Sequence, residues 1–210
     1  MRVVFITRLA AASLCAVCAW GSLSAATTPK VEFTDTLDSM QTFYRLHCQT
    51  RRGHGLPPQP ARFFESIARH LLGSGKGILA TAWSGEKAVA SAVLLHHGRH
   101  AIYKFGASDE ASRHLRPNNL LMWELIQWAA LRGFTKLDLG RTSLGNAGLR
   151  RFKLGLGARE EKVEYFKYDF GKKTFVSDVD RSQTWVNHLF RRLPLPVLRL
   201  AGRMIYPHLA

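Results

Sequence analysis

The stretch LDLGRTSLGNAGLRRFKLGLGA, Leu137 to Ala158, decides how the chain is read. It opens as a short apolar strand, turns through the polar TSLGNAG, enters a basic helical turn and closes on glycines. A strand that runs into a polar loop and a cationic turn suits a bound phosphate or carboxylate. The loop's backbone N–H groups and the turn's side chains can both meet an anion. The plain alternative is a solvated basic helix face.

The surroundings of this stretch share its charge. Thirty Lys and Arg stand against fifteen Asp and Glu in 210 residues, a formal charge of +15. Such a balance favours a polyanionic partner: nucleic acid, a phosphorylated donor or an anionic membrane. Between Arg113 and Arg159 there are nine basic residues and only Glu124 and Asp138 to oppose them. An apolar content of 46% excludes a disordered chain, and the length allows one good core with appended helices.

Residues 1–26 read as a signal-like leader, with Arg2 and Arg8, an apolar run from Leu9 to Trp20 and small residues around Ser22 to Ala26. A cleaved signal, an uncleaved anchor and a misassigned start are all compatible with it. Cys15 and Cys18 form a C-x-x-C inside the apolar run, where small hydrophobic residues are expected anyway. Only Cys48 lies beyond, so no disulfide forms in a processed chain.

Helical spacing of Leu37, Met40, Phe43, Tyr44 and Leu46 predicts a helix over 34–51, and Phe63, Phe64, Ile67, Ala68 and Leu71 predict a second over 61–72. Between them, RGHGLPPQP is a structured loop. Three β-rich runs over 77–83, 88–97 and 101–108, joined by the short turns SGEK and GRH, predict an antiparallel meander. Pro117 suits the first position of a helix reaching about Arg132. TKLDLGRT is then a fourth strand and EKVEYFKYDF, over 161–170, a fifth. Within the tail over 181–210, the stretch from Trp185 to Ala210 carries Arg191, Arg192, Arg199 and Arg203 without one acid. It is either a basic amphipathic segment for peripheral membrane contact or a helix packed on the domain.

This order of elements is similar to the GNAT acyltransferase fold, an α/β (α+β) architecture with a central mixed, mostly antiparallel sheet flanked by helices. Three segments, FYRLHCQTRRGHGLPPQP, YKFGASDEASRHLRPNNLLMWELIQWA and LDLGRTSLGNAGLRRFKLGLGA, resemble the C-terminal half of FemAB-like aminoacyl and acyl transferases over roughly Asp38 to Phe170. Members of that branch generally carry two such halves, and this chain has room for the second, over 34–176. The resemblance implies transfer from acyl-CoA or aminoacyl-tRNA to an amine of a cell-envelope precursor. It also implies work at the cytoplasmic face of the membrane, whereas the leader implies export. A non-catalytic domain that binds an anionic membrane or envelope component is the alternative.

The resemblance also nominates residues. It implies that Phe152 and Lys153 lie by the acyl-donor site, with Arg150 and Arg151 on the same turn forming a cationic patch and Asn146 in the anion-binding loop. ASRHLRPNN, which contains Arg116, stands where GNAT proteins have a Gly-rich pyrophosphate loop. Arg51 and Arg52 resemble the acceptor-side segment, and Lys104 joins them as a substrate-binding candidate; the alternative for the arginines is a rigid surface loop. Asp138 and Arg141, at the end of a strand, are the catalytic candidates, although Asp138 equally suits pairing or capping. No G-x-S-x-G is present and Cys48 has no paired base in sequence, so direct attack by the acceptor amine is favoured. His96, His97 and His100 match no standard metal spacing, and no metal is expected.

Overall fold

The computed structural model describes residues 2–8, 29–164, 166–176 and 185–208. Arg2–Arg8 forms β1 and Lys30–Thr34 forms β2. Thr36 then caps α1, Leu37–Gly53, its hydroxyl accepting from the Ser39 amide at 3.2 Å, with Asp38 in the first turn. α2, Ala61–Ile67, runs on into a π-helical turn over Ala68–Leu72. The meander follows as β3 (Gly77–Ser84), β4 (Lys87–His97) and β5 (His100–Ser108). A short 3₁₀ turn, Glu110–Leu115, leads into α3, Pro117–Leu131. β6 (Lys136–Ser143) and α4 (Ala147–Gly155) carry the deciding stretch. β7 (Arg159–Val163), the hairpin β8–β9 (Lys167–Asp169 and Thr174–Val176), α5 (Trp185–Arg192) and α6 (Leu195–Ile205) complete the chain.

Seven strands form one sheet in the order β2-β3-β4-β5-β6-β1-β7. Every pairing in it is antiparallel except β5–β6. Helices α1 and α2 cover one face, where Met40, Phe43, Leu46 and Phe64 pack on Leu79, Val93 and Ala107. On the other face Leu121, Met122, Leu125 and Trp128 of α3 pack on Ala80, Ala92, Leu94 and Leu137. Side chains alternate between faces along β3 and β4, so each strand feeds both cores. Each fully buried Phe, Leu or Met contributes about 1.5–3 kcal/mol through area removed from water.

Three placements differ from the sequence pattern or bear on its alternatives. The sheet takes in Arg2–Arg8 and Lys30–Thr34, so strands of the domain lie outside 34–176; residues 9–28 of the leader lie outside the described residues. The fifth strand expected over 161–170 is divided. Arg159–Val163 pairs with β1, while Lys167–Asp169 turns back on Thr174–Val176. β7 is solvent-exposed along most of its length and has no apolar face to prolong. Asp169 Oδ1 accepts from the Gly171 and Lys172 amides and nucleates the separate hairpin. The tail is packed rather than detached: Leu198 is fully buried, Gly202 lies against the Pro58 carbonyl, and the Arg199 guanidinium sits 5.6 Å from the Tyr44 ring centroid. A Cβ on Gly202 would fall 2.0 Å from that carbonyl oxygen.

Candidate active site

β5 and β6 pair only through His100–Lys136, Ala101–Leu137 and Ile102–Asp138. Beyond this β5 continues to Ser108 and β6 to Ser143 with no further pairing between them, so the sheet forks. Two features of β5 sit at the fork. Lys104 is the extra residue of a bulge, because Val93 faces Phe105 while Leu94 faces Tyr103. Tyr103, the first residue past the shared pairs, lays its ring over Gly106, where a Cβ would displace the phenol. Burial pushes the Tyr103 phenol up to about 12 and keeps it protonated.

On the opposite arm, Gly140 adopts φ +76° and lies against the Tyr103 carbonyl. The Lys153 ammonium reaches from α4 to donate to the Gly140 carbonyl (2.9 Å) and the Thr142 hydroxyl (2.8 Å). It is 6% exposed. Burial pulls its pKa down to about 8, and the nearby Asp138 carboxylate resists that fall. Asp138 accepts from the Gly140 amide at 2.6 Å, so it shapes the turn at the fork. Arg141 is exposed on β6, in register with Val4 of β1.

The cationic patch expected on α4 is therefore distributed. Lys153 points inward; Arg150 pairs with Glu160 through Nε–Oε1 at 2.7 Å and a second hydrogen bond at 2.9 Å; Arg151 is exposed. Phe152 packs against the core on the α3 side, and Asn146 caps α4 by accepting from the Leu149 amide at 3.1 Å.

The main cleft lies at the end of β5, where it meets the N-terminus of α3. Its volume is about 690 Å³, and Arg52, His54, Arg113, Arg116, Asn118 and Asn119 are among its walls. Arg116 adopts the left-handed conformation (φ 48°, ψ 43°) and turns the chain into Pro117 at the first helical position. A fifteen-residue helix thus aims its N-terminal dipole into the cleft, whose lining holds three arginines together with Asp109 and Glu110, the latter 4.0 Å from the Arg113 guanidinium. The cleft walls are pinned. The Thr50 hydroxyl donates to the Ser108 carbonyl and accepts from the Ser108 amide. Asp109 accepts from Lys87, the Ser112 hydroxyl and the Ala111 amide, and the Lys87 bond above all holds its carboxyl below the usual range.

Arg52 belongs to this cleft and its neighbour Arg51 does not. Arg51 donates to the Pro57 carbonyl (3.2 Å) and the Tyr206 hydroxyl (2.9 Å), locking the tail to the loop after α1. Lys104 is exposed, its ammonium 6.0 Å from the Phe105 ring centroid. Arg113, Asn118, Asn119 and His54 were not singled out from sequence. Arg113, Asn118 and Asn119 lie in ASRHLRPNN, a loop between a strand and a Pro-started helix, and His54 in RGHGLPPQP; neither segment by itself discloses a cleft. Among the described residues no group of three or more His, Cys, Asp and Glu is placed to hold a metal ion.

A central sheet forked between two parallel strands, with a helix N-terminus at the end of one arm, defines an acyltransferase-type fold. Residues 20–154 match the family described as Acetyltransferase (GNAT) domain, and the chain belongs to that family. No curated protein matches the chain at a significant level. Among solved structures it is similar to FemX, with 16% identity, 75% of this chain and 59% of FemX covered, and a TM-score of 0.62. It is also similar to the ribosomal-protein-S18-alanine N-acetyltransferase from Escherichia coli (16% identity, 70% and 88% covered, TM-score 0.56). A third is the aminoglycoside N-acetyltransferase AAC(6')-Iy in complex with CoA (13% identity, 66% and 93% covered, TM-score 0.53). The chain thus spans less than two thirds of the length of FemX.

Proposed function

We propose that the protein transfers an acyl or aminoacyl group from acyl-CoA or aminoacyl-tRNA to an amine of a cell-envelope precursor. The observation that carries this reading is the fork between β5 and β6 running toward the arginine-lined cleft at the N-terminus of α3. The cleft is chemically suited to a donor's phosphates. Arg52, Arg113 and Arg116 offer charge-assisted hydrogen bonds, and the helix dipole favours an anion there. The fork leaves one edge of β5 open to the acyl arm.

Transfer is direct in this reading. Cys48 is fully buried and unsuited to act as a nucleophile. The neutral acceptor amine attacks the donor carbonyl, the C–S or C–O bond to the carrier breaks, and the amine's proton leaves to solvent or to the departing group. Lys153 is the buried cation beside the fork in this scheme. Its charge, held beside the Gly140 carbonyl, stabilises the oxyanion of the tetrahedral intermediate. The likeness to FemX supports an aminoacyl donor, and the likeness to an enzyme solved with CoA supports an acyl-CoA. Both donors are cytoplasmic, which supports work at the inner face of the membrane.

Titration with acetyl-CoA, longer acyl-CoAs and charged tRNA at two salt concentrations tests the reading, because phosphate contacts weaken with salt. Saturable binding of one donor is expected, and Lys153→Ala should weaken it while leaving a folded protein. Unchanged affinity in the folded variant would remove Lys153 from the donor site. Absence of binding to every donor would move the reading to a non-catalytic binding domain.

A further inference from the structure

We propose that α5 and α6 together form a docking surface for an anionic lipid bilayer. Helix α6 is apolar on both sides. Leu198 and Gly202 face inward onto the loop after α1, and this packing accounts for its attachment to the domain. Val197, Leu200 and Met204 recur at helical spacing on the outside, 46%, 57% and 65% exposed, where they contribute nothing to the core. Leu189 of α5 is a further exposed apolar residue, at 52%.

Charge selects the occupant. Arg191 and Arg192 end α5, Arg203 lies exposed beside Leu200 and Met204, and the chain from Trp185 to Ala210 contains no Asp or Glu. Aliphatic side chains rimmed by arginines without a single acid match the interface of a bilayer with anionic headgroups. Single-stranded nucleic acid would call for an aromatic stacking row, and the outward stripe is aliphatic. At eleven residues α6 is too short to span, and among the described residues no helix is long and apolar enough to cross a membrane. The surface therefore lies flat on the headgroup region.

This surface borders the cleft. The Asn187 backbone rests on Gly55 so closely that a Cβ there would overlap it, and Arg191 helps hold the His54 imidazole, a wall of the cleft, below its usual pKa after burial itself. A bilayer seated on α5–α6 thus brings amphiphile headgroups beside the cleft mouth. The docking inference stands on the surface alone and does not depend on the proposed transfer.

The test sediments the full-length protein with phosphatidylcholine vesicles, with and without phosphatidylglycerol, at low and high salt. Binding is expected to rise at least about tenfold with the anionic lipid and to fall with salt. Leu200→Glu with Met204→Glu, and separately Arg191→Gln with Arg192→Gln and Arg203→Gln, should each lower it by about tenfold or more. Both sets are exposed, so an unchanged melting midpoint certifies the fold of each, and unchanged donor binding that of Leu200→Glu with Met204→Glu. Vesicle binding indifferent to these variants overturns the proposal. So does absence of vesicle binding, whether the stripe then proves to bind RNA or to close a dimer that Leu200→Glu with Met204→Glu dissociates.

Discussion

From β2 to β5 the sheet is covered by helices on both faces and filled with Phe, Leu and Ala; beyond it β6 still buries Leu137 and Leu139, while α4 and β7 add polar contacts. On the first side α1, α2 and α3 bury Met40, Phe43, Phe64, Leu121 and Leu125. On the second, the buried residue of α4 is a lysine, its neighbour Arg150 ties to Glu160 on β7, and β7 lies mostly in solvent. Apolar burial is worth more per residue than exposed ion pairs, so the first side carries the larger share of the stability. The second side is freer to carry a cation in a low-dielectric position, which is costly for folding and useful for chemistry.

Phe43→Ala should separate the two sides most clearly. Truncating a fully buried phenylalanine costs about 3–5 kcal/mol, and the melting midpoint should fall by roughly 10 °C or more. A fall of only a degree or two would mean that the packed half does not dominate.

Acid is the next probe of that half. Burial holds the His47 imidazole down to about 4 from an ordinary 6.5, outweighing its hydrogen bond to Gln59. Between these values the unfolded chain takes a proton that the folded chain refuses. The stabilising contribution is therefore complete above pH 6.5 and is lost as the pH falls toward 4, by about 3 kcal/mol at most. Melting curves across this window should decline more steeply for the wild type than for His47→Gln; parallel declines would contradict the burial.

Arg51 and Arg52 bring the contrast down to adjacent residues. Arg51→Ala removes two hydrogen bonds to the loop and tail and should cost about 1–3 kcal/mol with donor affinity nearly intact. Arg52→Ala should leave the melting midpoint within about a degree and weaken donor binding several-fold. Equal behaviour of the two variants would undo the distinction. Smallest of all, Leu154→Ala on exposed α4 should change stability by less than about 0.5 kcal/mol, as chemical denaturation would show.

What was legible in sequence follows the same division. α1 could be read because one buried face imposes a regular period on it, α3 from its Pro start and long apolar run, and the meander β3–β5 because β-rich runs alternate with short polar turns. The FK pair was legible as a motif, but its geometry was not: a lysine beside two arginines reads as a surface patch until α4 is seen to turn Lys153 under β6. Phe152, beside it, went to the core for the same reason. The split of the run over 161–170 and the insertion of β1 between β6 and β7 depend on partners distant in sequence, which periodicity cannot name. The cleft was hardest to foresee, since Arg52 and Arg116 meet there only because the end of α1 and the start of α3 converge on Ser108.

The fork has a consequence for amide exchange with solvent. Past Ile102, β5 is laddered on one side only, so amides directed at β4 should be slow to exchange deuterium while those directed at the gap should be fast. A bound donor that lies along this edge would slow the fast set alone. Alternation in protection from Tyr103 to Ser108 would then act as a footprint, recording which portion of the donor occupies the gap before any product is formed.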